Sequence, residues 1–529
     1  MKYTAITIGP IIETLNAARK TRELWGASYL FSYIIRSTVE KLIKQKVEIL
    51  LPYYKTDAEW KNHHGAGLFP DRIFVVGEVD IQTSFYNIVI QELSISIANW
   101  FESGGSNTSN RTLGSQEIQS YLFNFLRFIQ IHFECPVNGN IIENGTTLLD
   151  SKELQTKTIP ENEFIDLENP LFYFLYHVNG SFLFKDGFCN SRKRFPSLIE
   201  IAIKEFELVH PSLYNEIEKE IEKIHEKFPD LNSEKIVFKN EDEIIEFIGK
   251  LLPEKALKQP HKYIAIVQAD GDKIGQMVMK VGTNPVSIQN FSQKLMEFSK
   301  VATDIVVKYG GSPVYMGGDD LFFFAPLLYS DGTKTTHILE MVDSLNKLFD
   351  KIIIKYAKDI LEITPSELPS LSFGISLSYY KFPLYEAKKM AFSALFEDIK
   401  WADKRNAVKV KFRKHSGQLM ELFVNKNKTS LWDETILFIS KNLDQESEFL
   451  SSFMHKLRLQ DEVLFNKIAL DANLLENFFK NNFNENYKSN QGFYSSLIFF
   501  IKEISKSVES SEQKHYLYAV LRFIHFLRN

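Results

Sequence analysis

Met316-Gly317-Gly318-Asp319-Asp320-Leu321 stands between two apolar runs, Ser312 to Met316 and Leu321 to Ala325. The runs read as two strands, and the Gly-Gly pair supplies the positive φ angles of a tight hairpin. Adjacent carboxylates at such a turn repel each other and lose solvent, which is costly unless a cation compensates. Mg²⁺, which takes one or two carboxylates together with phosphate oxygens, is one such cation. An acidic β-turn is the competing reading, because Gly and Asp are both common turn residues.

Upstream, Tyr263-Ile-Ala-Ile-Val267 is a continuous apolar run of the kind a buried central strand shows. It runs into Asp270-Gly271-Asp272-Lys273, so a carboxylate at the strand's end can join those of the hairpin, while the turn's exposed amides can hold phosphate. Asp272 reads either as part of that site or as the cap of a following helix. An amphipathic helix from about Val286 to Tyr309 comes next, with Phe291, Leu295, Phe298 and Val301 placed on one face. After the hairpin the pattern predicts a second helix from about Thr336 to Tyr356 and a fourth strand, Leu371 to Leu377. The order β-α-β-β-α-β is the ferredoxin-like arrangement. Its first and third strands are neighbours, which brings Asp270 to the Asp319/Asp320 pair. Three such carboxylates serve two metals roughly 3.5–4 Å apart in a phosphoryl transfer, as in a polymerase or cyclase palm.

Here the residues resemble a known family. The palm is similar to that of GGDEF-type nucleotide cyclases and, more closely, to the second palm of the large polymerase-like subunit of type III-B (Cmr) CRISPR-Cas effector complexes. The stretch from Ile6 to Tyr33, including Gly9-Pro10, Arg19-Lys20-Thr21-Arg22 and Trp25-Gly-Ala-Ser28, is similar to the opening of that subunit's first palm. Arg194 to Ala202 resembles the stretch joining the first palm to the next domain, and Ala402-Asp-Lys404-Arg-Asn406 with Ser416-Gly417 the end of the second palm. The resemblance implies an α+β chain: a non-catalytic first palm (1–194), a helical connector (195–260), a catalytic second palm (261–417) and a C-terminal helical bundle (418–529). Its implied site is Asp270, Asp319 and Asp320 on two Mg²⁺ or Mn²⁺ ions, with ATP as substrate. Gly317, Gly318, Gly271, Asp272, Lys404 and Asn406 are the expected nucleotide contacts, with Arg19 and Arg22 from the first palm. Implied too are a cyclic oligoadenylate or related AMP-containing product made on target-RNA binding, and partners including small helical subunits at the C-terminal bundle, guide RNA and target RNA.

From the residues alone, Arg19 and Arg22 lie three apart on one helix face and suit either bidentate phosphate binding or a solvated helix end. The sequence has no His-Asp dipeptide, so the metal-dependent nuclease domain that many relatives carry is not expected. Only Cys135 and Cys189 are present, too few for a four-thiolate zinc knuckle; they read as buried free thiols ahead of a mixed site with His132, and His63, His64 and His132 read as turn or core residues. Across 529 residues the net charge is −5, which argues against a free-standing nucleic-acid binder. The 44 phenylalanines imply large cores or interfaces. No signal peptide or run of transmembrane length is seen, so a cytoplasmic location without membrane contact is expected. Glu102–Gln116 and Asn140–Glu163 read as polar loops, Glu216 to His225 as helical, and everything after Gly417 as helical, most clearly Trp432–Leu443, Ser452–Phe465 and Gln513–Leu527. A GGDEF-like cyclase acting on GTP and a non-catalytic scaffold of an RNA-guided complex are the alternatives.

Overall fold

The computed structural model describes residues 1–18, 20–55, 64–100, 114–155, 195–206, 258–427, 429–443, 447–459, 467–469, 471–482 and 490–528, with positions 212, 215, 216 and 219. The first sheet holds β1 (Lys2–Gly9), β2 (Ile49–Leu51), β3 (Arg72–Val76) and β4 (Arg127–Glu134) in the order β2-β3-β1-β4. Helix α1 (Thr21–Lys44) links β1 to β2, and α2 (Asn87–Trp100) lies between β3 and β4. β1 is antiparallel to both neighbours, with Tyr3 opposite Val76 and Phe133. This is a ferredoxin-like order, first strand beside third.

The second sheet repeats it and extends it. Its strands are β5 (Tyr263–Asp272), β6 (Ser312–Gly317), β7 (Asp320–Pro326), β8 (Ser370–Tyr379), β9 (Ala407–Arg413) and β10 (Leu419–Asn425), in the order β10-β9-β8-β5-β7-β6. β5, the middle of the palm, is buried through its apolar run. Of its helices, α4 (Ile274–Val281) and α5 (Pro285–Lys308) follow β5, and α6 (Ile338–Phe349) precedes β8. α5 starts where Asn284 Oδ1 accepts from the amides of Val286 (2.9 Å) and Ser287 (3.2 Å), with Pro285 at the first helical position.

Several expectations are corrected. Val301 is 39% exposed and does not belong to the inward stripe of α5; Ala302 takes that place. The second helix begins at Ile338, because Thr335–His337 pairs as a strand with Leu328–Ser330. Of the Asn140–Glu163 segment, read as a loop, residues 156–163 lie outside the described ones, and Ile141–Gln155 is helix α3, whose Ile141, Gly145 and Leu149 turn inward at helical spacing. At Gly145 a Cβ would lie 2.9 Å from the Phe133 ring, so the glycine is a packing residue and not a turn signal. Gln116 is likewise helical, in Ser115–Phe125. The chain after Gly417 is not helical throughout. Gly417, at φ +83°, turns β9 into β10, which pairs along its length from Leu419–Arg413 to Asn425–Ala407. Helix α7 (Leu384–Phe392) precedes β9, and beyond β10 lie α8 (Thr429–Lys441), α9 (Ser447–Leu459), α10 (Ala472–Asn482), α11 (Gln491–Ser507) and α12 (Ser510–Arg528). Of the connector, the short helix Leu198–Ala202 is described; most of it, with Glu216 to His225 largely included, lies outside the described residues, as do His63 and Cys189. Cys135 is a buried free thiol. His64 sits in a turn at φ +51°, and His132 is an exposed residue of β4 bonded to Thr4 Oγ1 at 2.9 Å.

The first module closes the open edge of the second sheet. Gly67 N donates to Val314 O (3.2 Å) and accepts on its carbonyl from Met316 N (2.9 Å), and Ser28 Oγ donates to Val314 O (3.0 Å). Trp25 Nε1 fixes the docking segment through Gly65 O at 2.6 Å. An edge strand that would otherwise offer unpaired backbone is thereby covered.

Gly374, in the middle of β8, sets how closely the segment from α7 through Lys400 lies on the sheet. A Cβ there would stand 2.5 Å from Leu395 N and 2.7 Å from Leu395 Cβ. We predict that Gly374→Ala lowers stability by about 1–3 kcal/mol, since helix backbone would have to move. Chemical denaturation of the full chain checks this, and an unchanged midpoint would show that the contact is slack.

Candidate active site

β5 carries Asp270 and Asp272 two residues apart, on one face of the strand. The register Ala269–Leu321 puts Asp270 next to Asp320, the first residue of β7. Between β6 and β7 the turn runs through Gly318 at φ +70°, a conformation that favours glycine. Ser299, buried on α5, holds this turn: its Oγ accepts from Gly318 N at 2.7 Å and lies 3.2 Å from Gly318 O. Gly317 leaves space for Tyr315, whose ring carbon Cε2 would be 2.8 Å from an added Cβ. Gly271 does the same for the acidic pair, since a Cβ there would be 2.8 Å from Asp319 Cβ. Asp319 therefore leans over the backbone of β5.

The electrostatics follow from this crowding. Burial, then the nearby Asp270 charge, push the Asp319 carboxyl up to about 6, against the opposing pull of its own and Gly271's backbone amides. Asp320 is driven well above the usual carboxylate range by burial, Asp270 and Asp319. Asp270 is raised by burial, an effect that Lys400 partly offsets. Asp272 differs: burial works against its charge, but Lys400 and the hydroxyls of Ser372 and Ser370 prevail and hold it below the ordinary value. Burial holds the Tyr315 phenol protonated, with the charges of Asp320, Asp71 and Asp319 adding to it. Asp71 thus brings a first-module carboxylate into the field of the hairpin.

Lys400 is the functional residue that sequence reasoning missed. Its ammonium, 11% exposed, lies 2.5 Å from Asp270 Oδ2 and 2.6 Å from Asp272 Oδ1, and donates to the carbonyls of Asp270 and Gly271, each at 3.0 Å. Asp272 has no oxygen to spare. Its Oδ2 accepts from Ser370 Oγ (2.7 Å), Ser372 Oγ (2.6 Å) and Asn406 N (3.0 Å). Nor does it cap a helix, because the cap position of α4 is Lys273 and no side chain bonds there. Asn406 stands at φ +58° and its amide donates to Asn427 Oδ1 (2.7 Å). Lys404 is exposed, with Nζ 5.6 Å from the centre of the Phe423 ring. Arg22 is half-buried in the first turn of α1, and Arg19 lies outside the described residues. The available signal for Lys400 and its serines was the alternation Ser370-Leu-Ser372-Phe, small polar residues on the face of β8 that opposes Asp272 and Asp270.

The oxygen donors suit a hard divalent cation: Asp270, Asp319 and Asp320 are carboxylates with more negative charge between them than their surroundings neutralise. Among the described residues no three acidic, histidine or cysteine side chains are already gathered into a metal cage. Lys400 takes Asp270 instead.

One consequence concerns the metal-free chain. Folded Asp319 keeps its proton up to about pH 6, whereas its ordinary value is 3.8. Folding therefore takes up a proton between those values, and this group's contribution to stability, full below pH 3.8, is lost as pH rises through 6. Asp319→Asn should raise the melting temperature of chelator-treated protein at pH 7 and flatten its decline between pH 4 and 6. Melting curves at several pH values check this, and parallel curves for the two proteins would refute it.

Comparison with known proteins agrees with this architecture. The family model described as Cas10/Cmr2, second palm domain, matches residues 263–409, and that described as CRISPR-associated protein Cmr2, N-terminal, matches residues 3–99. The CRISPR system Cmr subunit Cmr2 of Pyrococcus furiosus is 26% identical over 201 residues, which is 33% of this chain and 21% of the relative. The match thus spans about a fifth of the relative's length. Among solved structures, a type III-B Cmr-beta complex in the apo state is similar over 88% of this chain and 76% of its own, at 12% identity and a TM-score of 0.51, a likeness of fold. A Csm1–Csm4 cassette in complex with cA4 aligns with 100% of this chain and 70% of its own, at 11% identity and a TM-score of 0.47. No described helix is long and apolar enough to cross a membrane. The chain thus carries a stretch similar to the Cmr2 N-terminal domain followed by one similar to the second palm domain of Cas10/Cmr2, the order in which its two sheets stand.

Proposed function

We propose that the second palm is a nucleotidyl transferase that converts ATP to a cyclic oligoadenylate, or a related AMP-containing messenger, in antiviral defence. The observation that carries this reading is the approach of Asp270 to the Asp319/Asp320 turn across the first and third strands, beside Gly318, whose backbone is open. Asp270, Asp319 and Asp320 would hold two Mg²⁺ or Mn²⁺ ions. Bound there, such ions polarise an α-phosphate and lower the pKa of an attacking 3′-hydroxyl.

The chain's own residues do the rest. Gly318, where an added Cβ would meet nothing nearer than Leu295 Cδ1 at 3.9 Å, lets phosphate come close to the main chain, while Gly271 makes room for Asp319. Ser299 keeps the turn from shifting, so the carboxylates stay where the nucleotide arrives. Lys400, whose ammonium already lies among these groups, is the better placed cation for phosphate than Lys404, which lies over Phe423. The first module docks along β6, the strand that leads into the turn. The likeness to the Cas10/Cmr2 models supports further partners: other Cmr-type subunits, small helical ones at the C-terminal bundle, and guide and target RNA held by the assembled complex in the cytoplasm.

Asp319→Ala combined with Asp320→Ala should reduce ATP conversion about 1,000-fold or more while the complex still assembles, since the charge-stabilising groups would be gone. The assay is chromatography of labelled ATP, with labelled GTP in parallel, after incubation with the complex and target RNA. Undiminished product from the double variant sinks the mechanism, and conversion of GTP alone redirects it to another nucleotide.

A further inference from the structure

We propose that Lys400 is a resident counter-cation that trades places with the divalent ion: it holds Asp270 in the metal-free cleft and passes to the nucleotide's phosphates when a metal takes that carboxylate. The inference rests on the two-metal reading above and assigns this chain's lysine a part in loading the site. Four oxygens surround the ammonium, from the carboxylates of Asp270 and Asp272 and the carbonyls of Asp270 and Gly271. Carboxylate and carbonyl oxygens are also what hard divalent ions take. A lysine is a compact charge on a flexible stem with three rotatable donors, able to leave one set of oxygens for another.

The two carboxylates are not equivalent. Asp272 is fixed by Ser370, Ser372 and the Asn406 amide, so it anchors the lysine in either state. Asp270 is half-buried at the mouth of the cleft, and its Oδ2, at 2.5 Å from Nζ, cannot serve the ammonium and a metal in the same way at once. Bare metal must therefore displace a cation. Metal arriving with a triphosphate supplies the displaced ammonium with a new anionic partner, so the cleft favours the pair over the free ion. Between loadings, Lys400 relieves repulsion among four carboxylates.

The test is Mn²⁺ binding to the full chain without nucleotide, followed by the paramagnetic resonance signal of the free ion. Lys400→Gln should bind Mn²⁺ about 10-fold more tightly than wild type, because one unit of opposing charge beside the site is removed. The same variant should bind an ATP analogue with a non-cleavable α–β bridge more weakly. Unchanged or weaker Mn²⁺ binding by Lys400→Gln, with wild-type binding abolished by Asp319→Asn, overturns the exchange and leaves the two-metal reading standing. Wild-type binding indifferent to Asp319→Asn would overturn both. A second measurement needs no variant at Lys400: acetylation of its amine by an amine-reactive ester, read by mass spectrometry. Labelling should be low in chelator, rise with Mn²⁺, and fall again with Mn²⁺ and the analogue together; labelling that ignores Mn²⁺ contradicts the exchange.

Discussion

The contact between the Lys400 ammonium and the carboxylates of Asp270 and Asp272 is the interaction on which the cleft depends. Asp270, Asp272, Asp319 and Asp320 are drawn together by strand pairing, and strand pairing has no regard for their charge. Backbone hydrogen bonds of β5, β7 and β8 set the spacing, and the electrostatic cost falls on whatever can neutralise it. One lysine does so for two of the four. Burial, and then the charge of Asp270, makes the other two hold protons more firmly, Asp319 up to about 6. A cleft of this kind is poised for a cation stronger than a single ammonium.

Holding Lys400 in place takes a chain of packing decisions remote from any charge. Gly374 lets the segment from Leu384 to Lys400 lie against β8, and Ser370 and Ser372 on that same strand orient Asp272. Asn406 closes the loop that follows, with its carbonyl accepting from Lys426 N at 2.8 Å. Lys426 is itself buried, its ammonium donating to Leu371 O at 2.5 Å, and burial brings its pKa down to about 7. On the opposite side, Ser299 and the Gly67 segment hold β6 and its turn between them. The catalytic reading thus draws on residues from both modules.

The palm was legible because its signals are local and strong. A long apolar run before Asp270, a Gly-Gly turn between two more runs and an amphipathic helix from about Val286 each admit few alternatives, and their order fixes which strands are neighbours. Lys400 was not legible, since a lysine at the end of an amphipathic stretch reads as solvated until the stretch is laid on the sheet. Lys404 and Asn406, nearby in sequence, drew attention that geometry gives to Lys400. Strand β10 was missed because Leu419 to Asn425 carries apolar residues at both alternating positions, so its period is weak. Helix α3 was missed for its Asn, Gly and Thr content, yet Gly145 is there to admit the rings of Phe74 and Phe133.

The central claim is that this acidic cleft is a divalent-cation site completed by a nucleotide. It is tested most directly by anomalous diffraction at the manganese edge from crystals of the chain grown with Mn²⁺ and a non-cleavable ATP analogue. The account predicts two peaks roughly 3.5–4 Å apart, bounded by Asp270, Asp319 and Asp320, with Lys400 turned toward phosphate. A map without manganese at these carboxylates, with Lys400 still seated between Asp270 and Asp272 beside bound nucleotide, would contradict it.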